Sequence, residues 1–471
     1  MKTKIVLLPR KVNSRPIPYW EIGAILANIK EKCQKLELVD LESKYFCTKK
    51  NYDFLGNHNP HDLFKKDNQV YVLSVLEDIG SLDFDLIHFF IDWWNETLPL
   101  AVAIARKIRK KNNKIKILLS GTYLNRYGGE IIEKFKFIDY IGVSDPELIF
   151  NEILNGTEDP SKIPNIVYFS EEENVVKETK RQAIDVNDLN FQDYDLFFGD
   201  QCEAPQILPV KLSRGCIYRC FFCACLSGEK FSYYKEIDEG IKHIKKYKSK
   251  YGVNYFYFDD DAINFNNDYL ENFLDRLIAE KLNIKWSAYF FAKNLSSRLI
   301  KKIKESGCIH IRWGIETLDP EISKMIAKGI KIIEAEEILN ETAKAGIANQ
   351  ISLIVGFPNE KKESIQDMKS FISRNRHALR VVNTYVFKPR SGTLAYQLPN
   401  KYGVEILQDK TIFKKDVVPF NEINGLKWKD KKKVSEIYFQ VIDKEVQKNK
   451  LMNIDPREFF KDQVGLLGVA I

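Results

Sequence analysis

The chain has 471 residues, too many for one ordinary core of roughly 150, so we expect two packed domains and an appendage. Hydrophobic residues make up 44% of the chain and aromatic residues 12%, a composition that excludes global disorder. The net charge of +7 comes from lysines spread over amphipathic helices, which is more typical of solvated faces than of a nucleic-acid surface.

The amino-terminal apolar run ends at Pro9 and Arg10, which makes it too short for a signal peptide and typical of a buried strand. No apolar stretch approaches the length of about 18 residues that spans a bilayer. We therefore expect a cytoplasmic protein that does not enter a membrane. Thiols stay reduced in that compartment, so clustered cysteines indicate metal binding or catalysis rather than disulfides.

Residues 1–155 alternate apolar runs with helical patterns, as in "KIVLLP", "LELVDL" and "IKILLSG". Strands separated by helices at this spacing predict an α/β domain with a doubly wound, Rossmann-like parallel sheet. Ligands of such sheets lie beyond the carboxyl ends of the strands. In this chain those ends are near Pro9, Trp93 to Asn95, and Ser120 to Tyr123.

Three further regions follow along the chain. Residues 156–205 are polar and irregular and predict a connecting arm. Residues 206–400 give six strand candidates separated by helices and predict a partial (β/α)6 barrel of the TIM type. Residues 401–471 are rich in lysine, contain no cysteine and predict a small, mainly helical carboxyl-terminal accessory region.

Polar side chains follow several predicted barrel strands at their carboxyl ends, where the active groups of such barrels lie. They are Asp259 to Asp261, Glu316, and Asn359 with Glu360, together with four clustered cysteines: Cys216, Cys220, Cys223 and Cys225. Two kinds of site would use the thiols, a structural zinc site with all four or an iron–sulfur cluster with three. Structural zinc favours two separated pairs, because the metal stabilises the fold by closing a loop between distant segments. Here every thiol lies in one short loop, so zinc is the weaker alternative.

A C-x3-C-x2-C run occupies three corners of a cubane cluster and leaves the fourth iron open to a small molecule, whereas electron-transfer clusters carry four cysteines. The segment "SRGCIYRCFFC" resembles the signature of the radical S-adenosylmethionine (SAM) superfamily. The resemblance implies a 4Fe-4S cluster on Cys216, Cys220 and Cys223, with SAM on the open iron. It also implies that one electron, from a reductant such as flavodoxin or ferredoxin, cleaves SAM to a 5'-deoxyadenosyl radical.

Further segments match the same family in order over residues 206–400. They are "FYFDDDAINFN", "GCIHIRWGIET", "LIVGFPNEKKES" and "FKPRSGT". The resemblance implies a set of SAM-binding residues: Phe222 beside the adenine, Asp259 and Asp260 at the ammonium, Gly314 for close approach of the backbone, Glu316 at the ribose or amino group, and Val355 with Gly356 at the adenine. Lys293 stands where relatives carry Arg, which keeps the charge without the bidentate fork. Taken alone, each carboxylate is more typical of a helix cap or a surface ion pair, but the order of the segments favours the functional interpretation.

A radical enzyme with a preceding doubly wound domain resembles the branch of the superfamily that has an amino-terminal cobalamin-binding domain. "FIDWWNETLPLAVAIARKIRKKNNKIKILLSGTY" and "IDYIGVSDPEL" are similar to that branch's pattern. The resemblance implies cobalamin contacts from Trp94, Asn95, Ser120, Gly121 and Glu147. The chain departs from the pattern because it has "SGTYLNR" for the usual Gly-Gly-Pro and lacks an Asp-x-His-x-x-Gly element. The domain therefore either binds cobalamin without a histidine ligand or serves substrate docking without a corrinoid.

The implied function is an enzyme that abstracts a substrate hydrogen, and with cobalamin bound the implied reaction is methylation of an unactivated carbon. Without cobalamin, the alternative is another radical outcome on a peptide or natural product, such as epimerisation. Cys225 is then the candidate hydrogen donor, or else a packing residue. A remote alternative from a different class is a non-catalytic protein that binds zinc and nucleic acid. No motif identifies the substrate, which is expected to be a peptide or a small-molecule intermediate.

Overall fold

Two parallel sheets follow each other along the chain in the computed structural model, which describes residues 1–9, 16–48, 69–91, 97–199, 204–223, 230–407 and 418–465. The first sheet begins with five parallel strands, ordered β2-β1-β3-β4-β5. They are β1 (Lys2–Leu7), β2 (Lys35–Asp40), β3 (Leu86–Phe90), β4 (Lys116–Ser120) and β5 (Tyr140–Gly142). Alternate side chains enter two apolar layers, with Val6 and Phe89 on one face and Leu7 and Phe90 on the other, so helices must cover both faces.

Helices cover this sheet as the sequence predicts. They are α1 (Trp20–Ile29), α2 (Leu41–Thr48), α3 (Gln69–Ile79), α4 (Leu98–Lys111), α5 (Leu124–Lys134) and α6 (Pro146–Leu154). Helix α4 illustrates why the sequence folds this way. Pro99 occupies its first turn, basic residues fill its last turn, and the residues from Leu98 to Ala105 are all buried. The prediction of a doubly wound parallel sheet is confirmed.

A hairpin inside the predicted arm corrects the expectation that residues 156–205 are irregular throughout. Strands β6 (Ile166–Ser170) and β7 (Val175–Glu178) pair antiparallel with each other, and β6 also pairs antiparallel with β5. Asn174 adopts φ 55° before β7, a left-handed conformation that asparagine tolerates. Because this turn reverses the chain and β6 buries its first residues, the first sheet extends to seven strands and past residue 155.

The second sheet has six parallel strands that neighbour each other in chain order, as a partial barrel requires. They are β8 (Ile207–Val210), β11 (Tyr255–Phe258), β12 (Lys285–Phe290), β13 (Cys308–Glu316), β14 (Ala348–Val355) and β15 (Val381–Val386). An antiparallel ribbon of β9 (Ser213–Arg214) and β10 (Ser232–Tyr233) flanks the cysteine loop. The predicted partial (β/α)6 barrel is confirmed.

Helices alternate with these strands on the outside of the barrel. They are α7 (Ile237–Tyr251), α8 (Asn267–Ala279), α9 (Ser297–Glu305), α10 (Pro320–Ile326), α11 (Ile332–Lys344) and α12 (Lys362–Asn375). The side chains of Asn266, Ser296 and Asp319 accept hydrogen bonds from backbone N–H groups and cap α8, α9 and α10. Local sequence therefore sets where several of these helices begin.

The arm joins the two domains through a buried tyrosine. The ring of Tyr194 lies against Gly23 of α1, where a Cβ atom would clash with it. The backbone N–H of Tyr194 donates to the hydroxyl of Tyr247 in α7 at 2.5 Å. Tyr194 thus contacts one helix of each domain, and a continuous apolar core runs from the first sheet into the barrel.

From Leu394 onward, the described residues form a short ribbon and three α-helices. They are α13 (Leu394–Gln397), β16 (Val404–Ile406), β17 (Phe420–Glu422), α14 (Trp428–Lys448) and α15 (Pro456–Gln463). Phe459 and Phe460 of α15 are fully buried, and their ring centroids lie 4.8 Å from that of His310 and 6.2 Å from that of Tyr257. Since those partners lie on β13 and β11, α15 packs into the barrel interior. None of the helices in the described part of the chain combines the length and apolar composition that crossing a bilayer requires.

Replacing His88 by Gln tests the burial of the first sheet. His88 lies within β3, its Nε2 atom is 2.8 Å from Ser120 Oγ, and burial lowers the pKa of its ring to about 3. Below the ordinary pKa of about 6.5, the unfolded chain takes up a proton that the folded chain cannot, so the free energy of unfolding falls as the pH falls. We expect wild type to lose about 2 kcal/mol more than His88→Gln between about pH 6.5 and 5, as measured by urea unfolding.

The exposed His377 provides the matched control. His377→Gln should follow the wild-type pH profile. A His88→Gln profile that is parallel to the wild-type profile would contradict the assignment.

Candidate active site

The cysteine loop begins where β9 ends, at the carboxyl edge of the barrel. Cys216 and Cys223 are half-buried, and Cys220 is buried. The backbone N–H of Tyr218 donates to Cys216 Sγ at 3.4 Å, and the N–H of Cys223 donates to the Cys220 carbonyl at 2.9 Å. The first of these bonds would support a thiolate at Cys216. Cys225 lies outside the described residues, so both of its suggested roles stay predictions.

Burial changes the acidity of the thiols that would bind iron. It raises the pKa of Cys216 to about 11 and that of Cys220 to about 12, while the ammonium of Lys328 opposes both shifts. Iron therefore has to displace protons from these thiols. Within the described ranges, no three His, Cys, Asp or Glu side chains converge closely enough to hold one metal ion.

Aromatic side chains line one side of the loop. The ring of Phe221 is fully buried and stacks on that of Tyr402, with 4.8 Å between the centroids. Phe222 is half-buried, and its ring centroid lies 5.8 Å from that of Phe357. This wall is suited to an apolar ring. The role of Phe222 beside the adenine stays a prediction.

Asp260 holds the start of the cysteine loop. Its carboxylate accepts hydrogen bonds from the N–H groups of Leu212 at 3.0 Å and Ser213 at 2.6 Å, and from the Ser213 hydroxyl at 2.6 Å. Burial raises the pKa of Asp260 to about 6, although these bonds and Lys211 oppose the shift. In this structure the carboxylate therefore positions the segment before the cysteines. Its contact with the SAM ammonium stays a prediction.

Asp259 faces the carboxyl-terminal helix. Its Oδ2 atom accepts a hydrogen bond from Nη2 of Arg457 in α15 at 3.0 Å. Burial alone would raise the pKa of Asp259, but Arg457, Lys211 and Arg312 together hold it below its usual range. Local sequence patterns do not indicate Arg457, because 198 residues separate the two partners. The predicted SAM contact of Asp259 would compete with this ion pair.

Gly314 and Glu316 form a crowded polar corner at the end of β13. A Cβ atom at Gly314 would clash with Tyr289 Oη and Glu316 Oε1, so only glycine fits. Glu316 has φ 67°, and its Oε1 atom lies 2.6 Å from Nζ of the buried Lys328. Burial alone would lower the pKa of Lys328, but Glu316 raises it above its usual value, so the ammonium stays charged. The strained backbone at Glu316 is typical of a functional site.

The turn after β14 lies under helix α14. Val355 is fully buried, and Gly356 has φ 82° at a point where a Cβ atom would clash with Ser435. The N–H of Gly356 donates to Glu360 Oε2, and burial raises the pKa of Glu360 to about 7. The accessory region therefore fixes the backbone that the resemblance assigns to the adenine. That assignment stays a prediction for Val355 and Gly356.

The predicted cobalamin residues of the first sheet fall partly outside the described residues, since Trp94 and Asn95 are not among them. Ser120 is buried and bonds His88. Gly121 has φ 136° and lies so close to Ile91 that a Cβ atom would clash with the carbonyl oxygen of that residue. The chain therefore turns tightly at this carboxyl edge. The roles of Ser120 and Gly121 toward cobalamin stay predictions.

Glu147 has a partner that the sequence did not indicate. Its Oε1 atom lies 2.7 Å from Nη2 of Arg214, whose Nη1 atom lies 2.8 Å from Oδ1 of Asp145. All three side chains are at most 5% exposed. Burial raises the pKa of Asp145, and Arg214 opposes the shift. The carboxylate predicted to contact cobalamin is thus engaged by the barrel, and its role toward the cofactor stays a prediction.

These contacts bring the carboxyl edges of the two sheets face to face. Arg214 follows β8 of the barrel, whereas Asp145 follows β5 of the first sheet. Trp20, at the start of α1, lies under two cations from the barrel, with 4.6 Å from its ring centroid to Lys211 Nζ and 5.1 Å to Arg214 Cζ. Beside these contacts, charged groups of the two domains lie close enough to interact electrostatically, and they define a polar region between the edges. We call it the chamber, and its charged residues are Glu21, Lys211, Asp259, Arg312 and Arg457.

Glu21 brings a carboxyl group from the first domain into the chamber. Burial and, to a smaller extent, the carboxylate of Asp259 raise the pKa of Glu21 to about 7, whereas Lys211 and Arg457 oppose the shift. Local sequence patterns do not indicate Glu21, Lys328 or Arg457 as site residues. Glu21 and Arg457 each lie in the first turn of an amphipathic helix, where local patterns indicate only the helix start.

Comparison with known families bears on this site. Residues 210–372 match the family model described as "Radical SAM superfamily". The matched segment includes the three cysteines, Asp259 and Glu316. This part of the chain is a radical SAM domain, as the sequence predicts.

Curated relatives cover parts of both domains. An uncharacterized methyltransferase of Pyrococcus horikoshii is 25% identical over 280 residues, which are 58% of this chain and 61% of that protein. The ribosomal protein uS12 methylthiotransferase RimO of Prochlorococcus marinus is 26% identical over 319 residues, which are 64% of each chain. The chain thus spans less than two thirds of the length of either relative.

Two solved structures share the fold over most of the chain. TsrM from Kitasatospora setae, a radical SAM methyltransferase with cobalamin and a 4Fe-4S cluster bound, matches with a TM-score of 0.66 and 12% identity over 87% of this chain and 82% of that chain. OxsB, a cobalamin-dependent SAM radical enzyme with aqua-cobalamin and SAM bound, matches with a TM-score of 0.71 and 14% identity over 98% of this chain and 70% of that chain. At these identities the likeness establishes the fold alone.

Replacing Arg214 by Met tests whether the buried ion pair joins the two domains. The variant leaves Asp145 and Glu147 buried without a cation, so we expect the free energy of unfolding to fall by about 3–5 kcal/mol in urea titrations. Adding Asp145→Asn and Glu147→Gln to Arg214→Met should recover much of that loss, because no uncompensated charge then remains.

The exposed pair of Arg276 with Asp238, at 2.8 Å, provides the control. Arg276→Met should cost less than about 1 kcal/mol. If Arg214→Met costs no more than this control, the ion pair does not hold the two edges together.

Proposed function

We propose that this protein methylates an unactivated carbon, using a 4Fe-4S cluster on Cys216, Cys220 and Cys223 with SAM, and cobalamin held by the first domain. When bound, these cofactors supply a 5'-deoxyadenosyl radical that removes a substrate hydrogen and a methyl group that takes its place. The observation that carries the proposal is the opposition of the two carboxyl edges across Arg214, which lies two residues before Cys216. Groups held at the two edges would meet across the chamber.

The residues of the chain have separate tasks in this proposal. Asp260 fixes the start of the cysteine loop through its bonds to Leu212 and Ser213. Glu316 and Lys328 offer an acceptor and a cation side by side, so they can orient the polar groups of SAM. Gly314 lets the side chains of Tyr289, Glu316 and Lys328 pack against the backbone, which holds that pair in place.

The first domain would hold cobalamin without a histidine ligand. His88 is fully buried and its Nε2 atom is used by Ser120, so it does not present a nitrogen at the carboxyl edge. His58 and His61 lie outside the described residues. The tight turn at Gly121 gives a flat edge on which a large ring can lie.

The relatives support methyl transfer. One is named a methyltransferase, and the two solved structures are described as cobalamin-dependent or cobalamin-bound radical SAM enzymes. The relatives named RimO favour a second candidate, methylthio transfer, which adds sulfur together with the methyl carbon. The mass of the product distinguishes the two reactions.

A one-electron reductant such as flavodoxin or ferredoxin would approach beside the cysteine loop. Ile217, next to Cys216, is 43% exposed. It lines a cavity of about 210 Å³ together with Tyr218 and Lys293. This surface offers the short path to the cluster that electron transfer needs, and Lys293 gives it a positive charge suited to an acidic partner.

Anaerobic reconstitution tests the cluster. We expect about four iron and four sulfide per chain, together with 5'-deoxyadenosine when SAM and dithionite are added. Cys216→Ala should lose most of the iron and all of the 5'-deoxyadenosine, whereas Cys33→Ser, which changes a half-buried thiol of the first domain, should retain both. A colourless protein with one zinc per chain would show that the radical proposal is wrong.

Cobalamin binding is tested separately. We expect each full chain to retain about one hydroxocobalamin after desalting, because the first domain would hold the corrinoid without any further component. Cys216→Ala should retain the same amount, since the corrinoid and the cluster would bind different domains. A protein that makes 5'-deoxyadenosine but retains no cobalamin would instead favour a reaction such as epimerisation.

A further inference from the structure

Two guanidinium groups lie against one buried ring in the chamber. The Cζ atom of Arg312 is 4.5 Å from the ring centroid of Tyr257, and that of Arg457 is 5.3 Å from it. Arg312 comes from β13 inside the barrel, whereas Arg457 comes from α15. The two cations therefore lie on one ring, and Asp259 is the carboxylate that interacts with both of them.

The acidic groups of the chamber do not pair one to one with its cations. Arg457 pairs with Asp259 at 3.0 Å and is also close to Asp455, which caps α15. Lys211 donates to the backbone carbonyl of Asp259 at 2.7 Å and also interacts electrostatically with Glu21. Glu316 is the partner of Lys328 and belongs to the corner at the end of β13.

Arg312 is the cation of the chamber that has no carboxylate partner at ion-pair distance among the described residues. Among the described residues no carboxylate lies within ion-pair distance of its guanidinium, and its one hydrogen bond is a long contact of 3.4 Å from Nη2 to the carbonyl of Phe258. Its buried Nε atom has no acceptor in the described part of the chain. Arg312 is half-buried, but its buried Nε atom without an acceptor is unfavourable, and a bound anion would relieve it through the fork of donors that arginine presents.

The groups around Arg312 suit such a ligand. Tyr385, at the carboxyl end of β15, is 47% exposed and lies close enough to Arg312 for the two to interact electrostatically. Burial raises the pKa of Tyr385 to about 12, so its hydroxyl is neutral and can donate a hydrogen bond. The raised pKa of Glu21 weakens its negative charge near neutral pH, which lessens its repulsion of an anion.

We propose that Arg312, Arg457 and Tyr385 form a subsite that binds the anionic group of the substrate, a carboxylate or a phosphate. The identification of the bound molecule as a substrate rests on the proposed function, whereas the anion site itself does not. Arg312 would bind the anion from the barrel wall, and Arg457 would bind it from the carboxyl-terminal helix. If Asp259 instead binds the SAM ammonium, as the sequence predicts, Arg457 also loses its carboxylate partner. Binding of an anion beside Arg457 then becomes more favourable.

The test measures the thermal midpoint of the full chain with added inorganic phosphate or malonate, with sodium chloride keeping the ionic strength constant. We expect the effective anion to raise the midpoint by roughly 2–3 °C at about ten times its dissociation constant. The larger of the two shifts identifies the site as one for phosphate or for carboxylate. Arg312→Met should abolish the shift, and Arg312→Lys should keep a reduced one, because a single ammonium lacks the bidentate fork.

Arg298→Met, which removes an exposed arginine paired with Glu271 at 3.0 Å, is the control and should keep the full shift. The proposal is overturned if wild type responds to neither anion beyond chloride, or if Arg312→Met responds as wild type does. Formation of 5'-deoxyadenosine from SAM is measured on the same samples. If wild type forms no 5'-deoxyadenosine but Arg312→Met still abolishes the anion response, the result supports the anion site and contradicts the proposed reaction.

Discussion

The structure depends on the buried contact of Arg214 with Asp145 and Glu147. Taking three charges out of water costs free energy, and only close pairing with well-placed hydrogen bonds offsets that cost. The contact therefore tolerates little displacement, and it sets how far apart the two carboxyl edges can lie. Because Arg214 is two residues from Cys216, the position of the cysteine loop relative to the first domain follows from it.

The described part of the cysteine loop is anchored at two points. Before it, Asp260 of the β11 end binds the backbone of Leu212 and Ser213. Within it, Phe221 is buried against Tyr402. Cys220, next to Phe221, is buried as well, whereas Cys216 and Cys223 are half-buried. These anchors preorganise the segment around the thiols, so that binding of iron requires chiefly the loss of protons.

Local patterns predicted the two sheets because alternation of strands and helices repeats over short distances, and the cysteine spacing lies within one loop. The hairpin at residues 166–178 was not predicted, because its charged turn resembles a linker and its pairing partner, β5, lies earlier in the chain. The partners of Glu147 and Asp259 could not be predicted at all from local patterns. Those ion pairs span 67 and 198 residues, and nothing in a local pattern records which distant charge a carboxylate will meet.

The chamber exists only when three distant segments are docked together. Glu21 comes from the first domain, Asp259 and Arg312 from the barrel, and Arg457 from the last helix described. Neither sheet alone shields these charges from water, so their interactions strengthen only in the assembled protein. The apolar residues of α15 pack against β11 and β13, which fixes Arg457 beside Asp259. Under the proposed function, a radical formed at the cysteine loop would act next to these charges, and their arrangement would select which substrates bind there.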